Sequence, residues 1–385
     1  MFNFSFHNPT RIHFGEGQIA ALTKEIPADA KVLVTYGGGS IKSNGVYEQI
    51  QAALAEHTWV EFGGIEPNPQ YDTLIKALAV IKDHDIDFIL AVGGGSVIDG
   101  SKFIAAASAY EGDDPWEILA SRGKVKAALP LGVVLTLPAT GSESNVVSVV
   151  TRGDDKLSFV SPRIRPLFAV LDPAVSLSLS PRQVSNGVVD AFVHVIEQYL
   201  TYPVNAKVQD HFAEGLLLTL IEDGPKALAQ ETRDNLEVRS NIMWSASLAL
   251  NGLIGTGVPQ DWTTHMIGHE ITAAHGVDHA RTLSMILPAV MKHQRPKKAE
   301  KLLQYAERVW QITSGSDGDK IDAAIAKTEA FFRTMQVPTR LSDADITADA
   351  IDGLLAKLES HGMVKLGEHR EVTLEQSREI LALAI

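Results

Sequence analysis

Twice in the first hundred residues an apolar run stops at Gly-Gly-Gly-Ser. Lys31–Tyr36 (KVLVTY) leads into Gly37, Gly38, Gly39 and Ser40, and residues 87–92 (DFILAV) lead into Gly93, Gly94, Gly95 and Ser96. A short apolar run that ends at glycines and resumes as a helical pattern reads as a buried strand turning into a helix. Strands of that kind pair in parallel and need covering helices, so the two turns commit this part of the chain to α/β. The glycines also carry a chemical message. Without Cβ atoms, backbone N–H groups can approach an anion closely, and the helix N-terminus adds unpaired donors and a favourable dipole. One such turn reads equally well as a tight connection; two at neighbouring strand ends favour a dinucleotide pyrophosphate. Neither fits G-x-G-x-x-G or the P-loop pattern.

The same texture continues to about residue 180. Strands are expected at 59–62 and at Leu131–Leu137, and helices at 71–84 and 96–107. Residues 146–171 alternate around RGDDK, which predicts an antiparallel addition to the sheet. From Pro181 onward strand signals vanish. Helices are expected at 181–200, 206–228, 233–252, 260–274, 279–292, 298–311, 319–335, 347–360 and 374–384, with Pro181, Pro203, Pro259 and Pro338 at breaks or first turns. The expected organisation is an α/β dinucleotide-binding domain over 1–180 and an all-helical domain over 181–385. No Ser/Gly-rich linker separates them, so a close-packed pair with a cleft is expected.

Composition removes whole classes of function. The chain has no cysteine, which excludes disulfides, Cys-ligated zinc, iron–sulfur clusters and thiol nucleophiles. A net charge of −13 argues against a general nucleic-acid or anionic-membrane binder. The N-terminus MFNFSFHNPTR lacks the pattern of a signal peptide. The most apolar stretch, 129–139, is too short and Pro-broken to span a bilayer. The expected setting is the cytoplasm.

The first turn bears on which dinucleotide. NAD sites place an Asp or Glu after a strand to hold the ribose 2′-hydroxyl. Here that place holds Gly37 to Ser40, with Lys42 nearby and no acid before Glu48. A carboxylate would repel a 2′-phosphate, whereas amides, a hydroxyl and a lysine accept one, so NADP(H) is favoured over NAD. The stretch 136–145 (TLPATGSESN) is rich in hydroxyls after a strand; it reads as a helix-capping loop or as a wrap around nicotinamide or ribose.

The helical half carries the metal signal. Asp190 and His194 lie four apart, hence on one helix face, and 265–279 (HMIGHEITAAHGVDH) holds His265, His269, His275 and His279. Four of 13 histidines in fifteen residues, beside an Asp-x-x-x-His pair, point to one divalent metal ion. Imidazoles with one carboxylate suit Fe²⁺ or Zn²⁺ and are too nitrogen-rich for Ca²⁺ or Mg²⁺. The spacing offers more donors than a tetrahedral site needs. Position 273 is Ala, so H-E-x-x-H fails; Tyr-x-x-x-Lys and G-x-S-x-G are also absent.

These residues together resemble the iron-containing (group III) alcohol dehydrogenase family, within it the NADPH-dependent aldehyde reductase and butanol dehydrogenase branch. The likeness runs along the whole chain, through FGGIEPNP, LAVGGGSVIDG, TLPATGSESN, NGVVDAFVH and GVPQDWTTHMIGHE. It implies a dehydroquinate synthase-like fold, with a dinucleotide-binding α/β domain, an all-helical metal domain, and reversible NADPH-dependent reduction of simple aldehydes to primary alcohols by a homodimer. By position it puts the metal ligands on Asp190, His194, His265 and His279. His269 then falls near nicotinamide and substrate, as a catalytic residue, and His275 outside the ligand set. The implied cofactor contacts are Gly37, Gly38, Gly39, Ser40, Asn68, Gly93, Gly94, Gly95, Ser96, Asp99, Thr136, Thr140, Ser142 and Lys156. A polyol dehydrogenase or a dehydroquinate-synthase-like lyase is the alternative on this fold, and would need extra Arg or Lys for a polar substrate. Leu253, Trp262, Met266 and Ile267 around the His segment form an apolar set that favours simple aldehydes.

Overall fold

Val, Leu, Ile and Phe at successive positions bury both faces of β2 (Lys31–Tyr36), β4 (Phe88–Gly94), β5 (Leu131–Leu137) and β8 (Phe168–Leu171), the pattern of a parallel sheet covered on both sides. A computed structural model, which describes residues 1–121 and 123–385, joins them in a six-stranded sheet. With β1 (Arg11–Phe14) and β3 (Thr58–Phe62) at its edges, the order is β1-β8-β5-β4-β2-β3, and every pair is parallel. The chain runs outward from β2 to β3, then returns to place β4 on the other flank of β2. Strand order therefore reverses between β2 and β4, the two strands that lead into Gly-Gly-Gly-Ser. Open α/β sheets bind ligands at the carboxyl ends of strands flanking such a reversal. Val32, Val34, Leu90, Val92, Val134 and Val170, with Phe88 stacked on Phe168, form the core beneath it.

Several elements differ from expectation. Strand β1 has no clear apolar signature; it forms because β8 offers a sheet edge, pairing Arg11 with Phe168 through Phe14 with Leu171. The expected helix at 71–84 is two pieces, Tyr71–Leu74 and Ala77–Asp83. Between them the N–H groups of Lys76 and Leu78 reach back only three residues, which tightens the turn. The alternating segment after 146 splits. β6 (Val147–Arg152) and β7 (Asp155–Val160) form a separate antiparallel hairpin, and β8 joins the main sheet in parallel.

The chain divides into two compact units, His7–Leu179 and Met1–Phe6 with Ser180–Ile385. The first six residues thus pack with the helices rather than with the α/β domain assigned to them from sequence. At the centre of the helical unit lies the helix Pro181–Tyr199, opened by a Ser180 capping box with Pro at its first position. It is buried from Val184 onward on nearly every side, the mark of a core helix. The segments expected as two helices, 279–292 and 298–311, are one helix, His279–Arg308, running through Pro288 and Pro296. An interior proline costs about 3 kcal/mol or more. Full burial of Leu283, Ile286, Leu287, Met291 and Leu302, at about 1.5–3 kcal/mol each, outweighs two of them. Among the described residues no helix is long and apolar enough to cross a membrane.

Candidate functional site

Asp190 and His194 project from the central helix, His265 and His269 from the helix Thr263–His275, and His279 from the first turn of His279–Arg308. The last two helices come close because position 268 is glycine; a Cβ there would sit 2.9 Å from Thr282 Oγ1 and 3.0 Å from Leu283 Cδ2. The imidazoles converge on one carboxylate oxygen. Asp190 Oδ1 lies 3.9 Å from His194 Nε2, 4.0 Å from His265 Nε2 and 3.7 Å from His279 Nε2. Asp190, His265 and His279 have donor atoms all within 4.8 Å of one another, and the His194 ring stacks on His265 at 4.6 Å. Nitrogen and oxygen ligands at about 2.0–2.2 Å in a tetrahedral shell sit roughly 3.3–3.6 Å apart. The observed separations exceed a hydrogen bond and are slightly wider than such a shell, so a modest inward shift closes it on a cation. Burial lowers the His194 imidazole to about 4, against the opposing pull of Asp190, so the ring is neutral and offers a lone pair. The residues present therefore fit a divalent metal.

His269 stands beside this group. Its ring centroid is 5.0 Å from His279 and 6.3 Å from His265. His275 is exposed at the helix end, before Gly276. Trp262 sets its indole edge-on to His194 and His265, at 6.2 and 5.2 Å. Met266 and Ile267 turn away, into the core around Met285 and Ile286. Of the apolar set read from sequence, these two line the helical core rather than the donor cluster.

In the α/β unit the predicted cofactor residues gather at the ends of β2, β4 and β5. Gly93 and Gly94 finish β4, and Gly95 and Ser96 open the helix Gly95–Ala107. Thr136 is the last residue but one of β5, and Thr140 lies against Gly95, where a Cβ would meet Thr140 Cγ2 at 2.5 Å. Lys156 donates to Asn68 Oδ1 at 2.8 Å, and the Asn68 N–H donates to Ser96 Oγ at 3.3 Å, so these three form one cluster. Around Gly38 and Gly39 the space is open: a Cβ at either would meet nothing within 4 Å, and Gly39 has φ +91. Asp99 and Ser142 are tied to each other. The Ser142 hydroxyl donates to Asp99 Oδ1 at 2.5 Å and accepts from Lys102 Nζ at 2.8 Å. Ser142 is buried there and holds its loop.

Three participants escaped the sequence reading. Lys102 is fully buried, donating also to Asn145 Oδ1 at 2.9 Å and the Val147 carbonyl at 2.8 Å; burial pulls its ammonium down to about 8. It follows Asp99 by three residues on one helix face, the spacing that could have pointed to it. Glu61, on β3, accepts from Lys42 at 2.6 Å, from Tyr36 at 2.7 Å and from Tyr47. Burial alone would raise its carboxyl, but these donors hold it at about 2. The Lys42 charge is therefore already countered by a carboxylate that parallel pairing, not sequence proximity, brings to it. Glu197 accepts from His265 Nδ1, from the Thr264 N–H at 2.6 Å and from the His265 N–H at 3.3 Å. Burial, and then the nearby Asp261, push its carboxyl upward. The spacing 190, 194, 197 places it on the ligand face of the helix.

The family models for the iron-containing alcohol dehydrogenase and for the C-terminal region of that family match residues 9–173 and 184–385. The chain is 59% identical to the NADPH-dependent aldehyde reductase YqhD of Escherichia coli K12, over the full length of both. It is 38% identical to the probable NADH-dependent butanol dehydrogenase 1 of Bacillus subtilis, again over both whole chains. The crystal structure of E. coli YqhD superposes with a TM-score of 0.98, covering 100% of this chain and 99% of that one. NADH-dependent butanol dehydrogenase A of Thermotoga maritima, 34% identical, superposes at 0.95 with the same coverage. The convergent Asp–His donors, the glycine turns at the strand reversal and these full-length likenesses agree: the chain belongs to the iron-containing alcohol dehydrogenase family.

Proposed function

We propose that this chain is an NADPH-dependent, metal-assisted aldehyde reductase that interconverts simple aldehydes and primary alcohols. The observation that carries the reading is the convergence of three imidazoles on Asp190 Oδ1, in a chain with a glycine-lined anion cradle and full-length identity to YqhD. Asp190, His194, His265 and His279 would hold the metal. When bound, Fe²⁺ or Zn²⁺ supplies Lewis-acid polarisation of the carbonyl, and NADPH supplies the hydride.

The chain's own residues do the rest. One carboxylate among neutral imidazoles leaves a dication site at net +1, which admits a neutral carbonyl oxygen and favours the negative charge that develops on it. Trp262 packs an apolar edge over His194 and His265, keeping water from that side of the donors. His269, one turn along from His265, is placed to touch substrate or to pass a proton. The Gly38–Gly39 backbone and the Ser40 hydroxyl would receive the 2′-phosphate, and Asn68, Ser96 and Lys156 the rest of the cofactor.

The test is spectroscopic. Purified protein with NADPH and butanal should consume the reduced cofactor faster than with NADH, and NADP⁺ with 1-butanol should run the reverse reaction. Glycerol with NADP⁺ should be a poor substrate. Efficient glycerol oxidation with no reduction of butanal would replace this reading with a polyol dehydrogenase.

A further inference from the structure

The helix that carries His265 begins in an unusual way. Its N-cap is Trp262, held at φ +66, where a bulky side chain is disfavoured, and the Trp262 side chain caps none of the first N–H groups. Two buried carboxylates from outside the helix do so instead. Asp261 accepts from the Thr263 N–H at 3.0 Å and from its hydroxyl, and Glu197 accepts from the N–H groups of Thr264 and His265. Asp261 is in turn gripped by Lys298, whose ammonium also donates to the Leu200 carbonyl at 2.7 Å and pairs with Glu368 at 3.1 Å. The first three helical N–H groups thus all find carboxyl oxygens as acceptors.

Glu197 does one thing more: the oxygen that receives the His265 N–H also receives His265 Nδ1. The ring is therefore fixed by the same group that fixes its backbone. A proton held on Nδ1 leaves the lone pair on Nε2, the atom facing Asp190.

We infer that Glu197 is the positioning residue of the metal centre, setting both the tautomer and the ring orientation of His265; this rests on the metal reading given above. Carboxylate partners of metal-bound imidazoles typically matter by about 10–100-fold in metal affinity. Glutamine cannot replace Glu197. Its three protein donors need acceptors on both oxygens, and a Gln amide presents an N–H₂ either to the Thr264 N–H or to the His265 N–H and Nδ1 together. The second arrangement drives the ring proton onto Nε2 and removes the ligand lone pair.

The experiment is titration of metal-stripped full-length protein with Co²⁺, reading affinity and the visible absorption of the bound ion, for wild type, Glu197→Gln, Glu197→Asp and His194→Ala. Thermal unfolding without metal is read alongside. The expected result is an affinity about 10–100-fold weaker for Glu197→Gln, with a changed Co²⁺ spectrum and a retained folding transition. Glu197→Asp, which keeps the charge but shortens the reach, should recover part of both. Wild-type affinity and spectrum in Glu197→Gln, with binding lost in His194→Ala, would overturn the positioning role alone. Undiminished binding in His194→Ala would overturn the metal reading beneath it. If Glu197→Gln does not fold, Glu197→Asp decides: wild-type affinity and spectrum there overturn the inference, and a partial loss supports it.

Discussion

Placing a carboxylate at position 39 should turn the cofactor preference. Gly39 has φ +91 and an added Cβ meets no atom within 4 Å, so Gly39→Asp is a charge change with little steric consequence. The backbone strain is about 1 kcal/mol, falls on the fold, and weighs equally on both cofactors. The differential term is electrostatic. A carboxylate about 5 Å from a 2′-phosphate bearing about 1.5–2 negative charges is repelled by roughly 1.2–3.3 kcal/mol at an effective dielectric of about 40–80. That is roughly a 10- to 250-fold loss in preference for NADPH. Lys42 does not cancel it, because Glu61 already holds that ammonium at 2.6 Å. The assay is the ratio of kcat/KM for NADPH to that for NADH with one aldehyde, in wild type and variant, at low and high salt. The ratio should fall by the stated factor and the fall should shrink as salt rises. An unchanged ratio in a folded variant would refute the placement of the 2′-phosphate over Gly38–Ser40.

Three further outcomes are expected. His194→Ala should lower metal affinity by more than about 100-fold, beyond what outer hydrogen-bond partners cost, and activity should fall with it; full metal content at normal turnover would contradict its place in the ligand set. His269→Ala should keep its metal by elemental analysis while kcat drops by about 100-fold, the scale of lost proton transfer; unchanged kinetics would leave it a packing residue. Lys102 titrates at about 8 in the fold and about 10.4 unfolded. Both states are protonated below pH 8; between 8 and about 10.5 the unfolded chain binds more protons, so this group raises stability as pH rises, by up to about 3 kcal/mol. Denaturant unfolding of wild type against Lys102→Met should show that gap moving in favour of wild type across this window, and a pH-independent gap would contradict it.

The parallel sheet was legible because buried strands ending in glycine leave few other folds. Asp190 and His194 were legible as a pair because i, i+4 spacing puts two donors on one helix face, whereas His265 and His279, on separate helices, were singled out from four clustered histidines only by the family resemblance. What escaped depends on partners distant in sequence. Nothing in RIHF announces β1 until β8 supplies an edge. The segments 279–292 and 298–311 read as two helices because local rules cannot weigh the burial of Leu283, Ile286 and Leu302, which carries one helix through Pro296. Glu61 reaches Lys42 only through the pairing of β2 with β3. Met266 and Ile267 were read with the apolar set around the His segment, but proximity in sequence to His265 says nothing about which way a helix face turns, and both pack into the helical core. The hydrogen bond from Ser142 to Asp99 was not legible either, because it joins residues 43 apart in the chain.

On the proposed reading, one metal held by Asp190, His194, His265 and His279 lets NADPH reduce an aldehyde. The most direct test is to strip the protein with a chelator, reload it with Fe²⁺ or Zn²⁺ in increments, and follow NADPH consumption with butanal. Turnover should vanish on stripping and return in proportion to added metal, reaching its plateau at about one ion per chain. Undiminished NADPH-dependent reduction of butanal by verifiably metal-free protein would contradict the account.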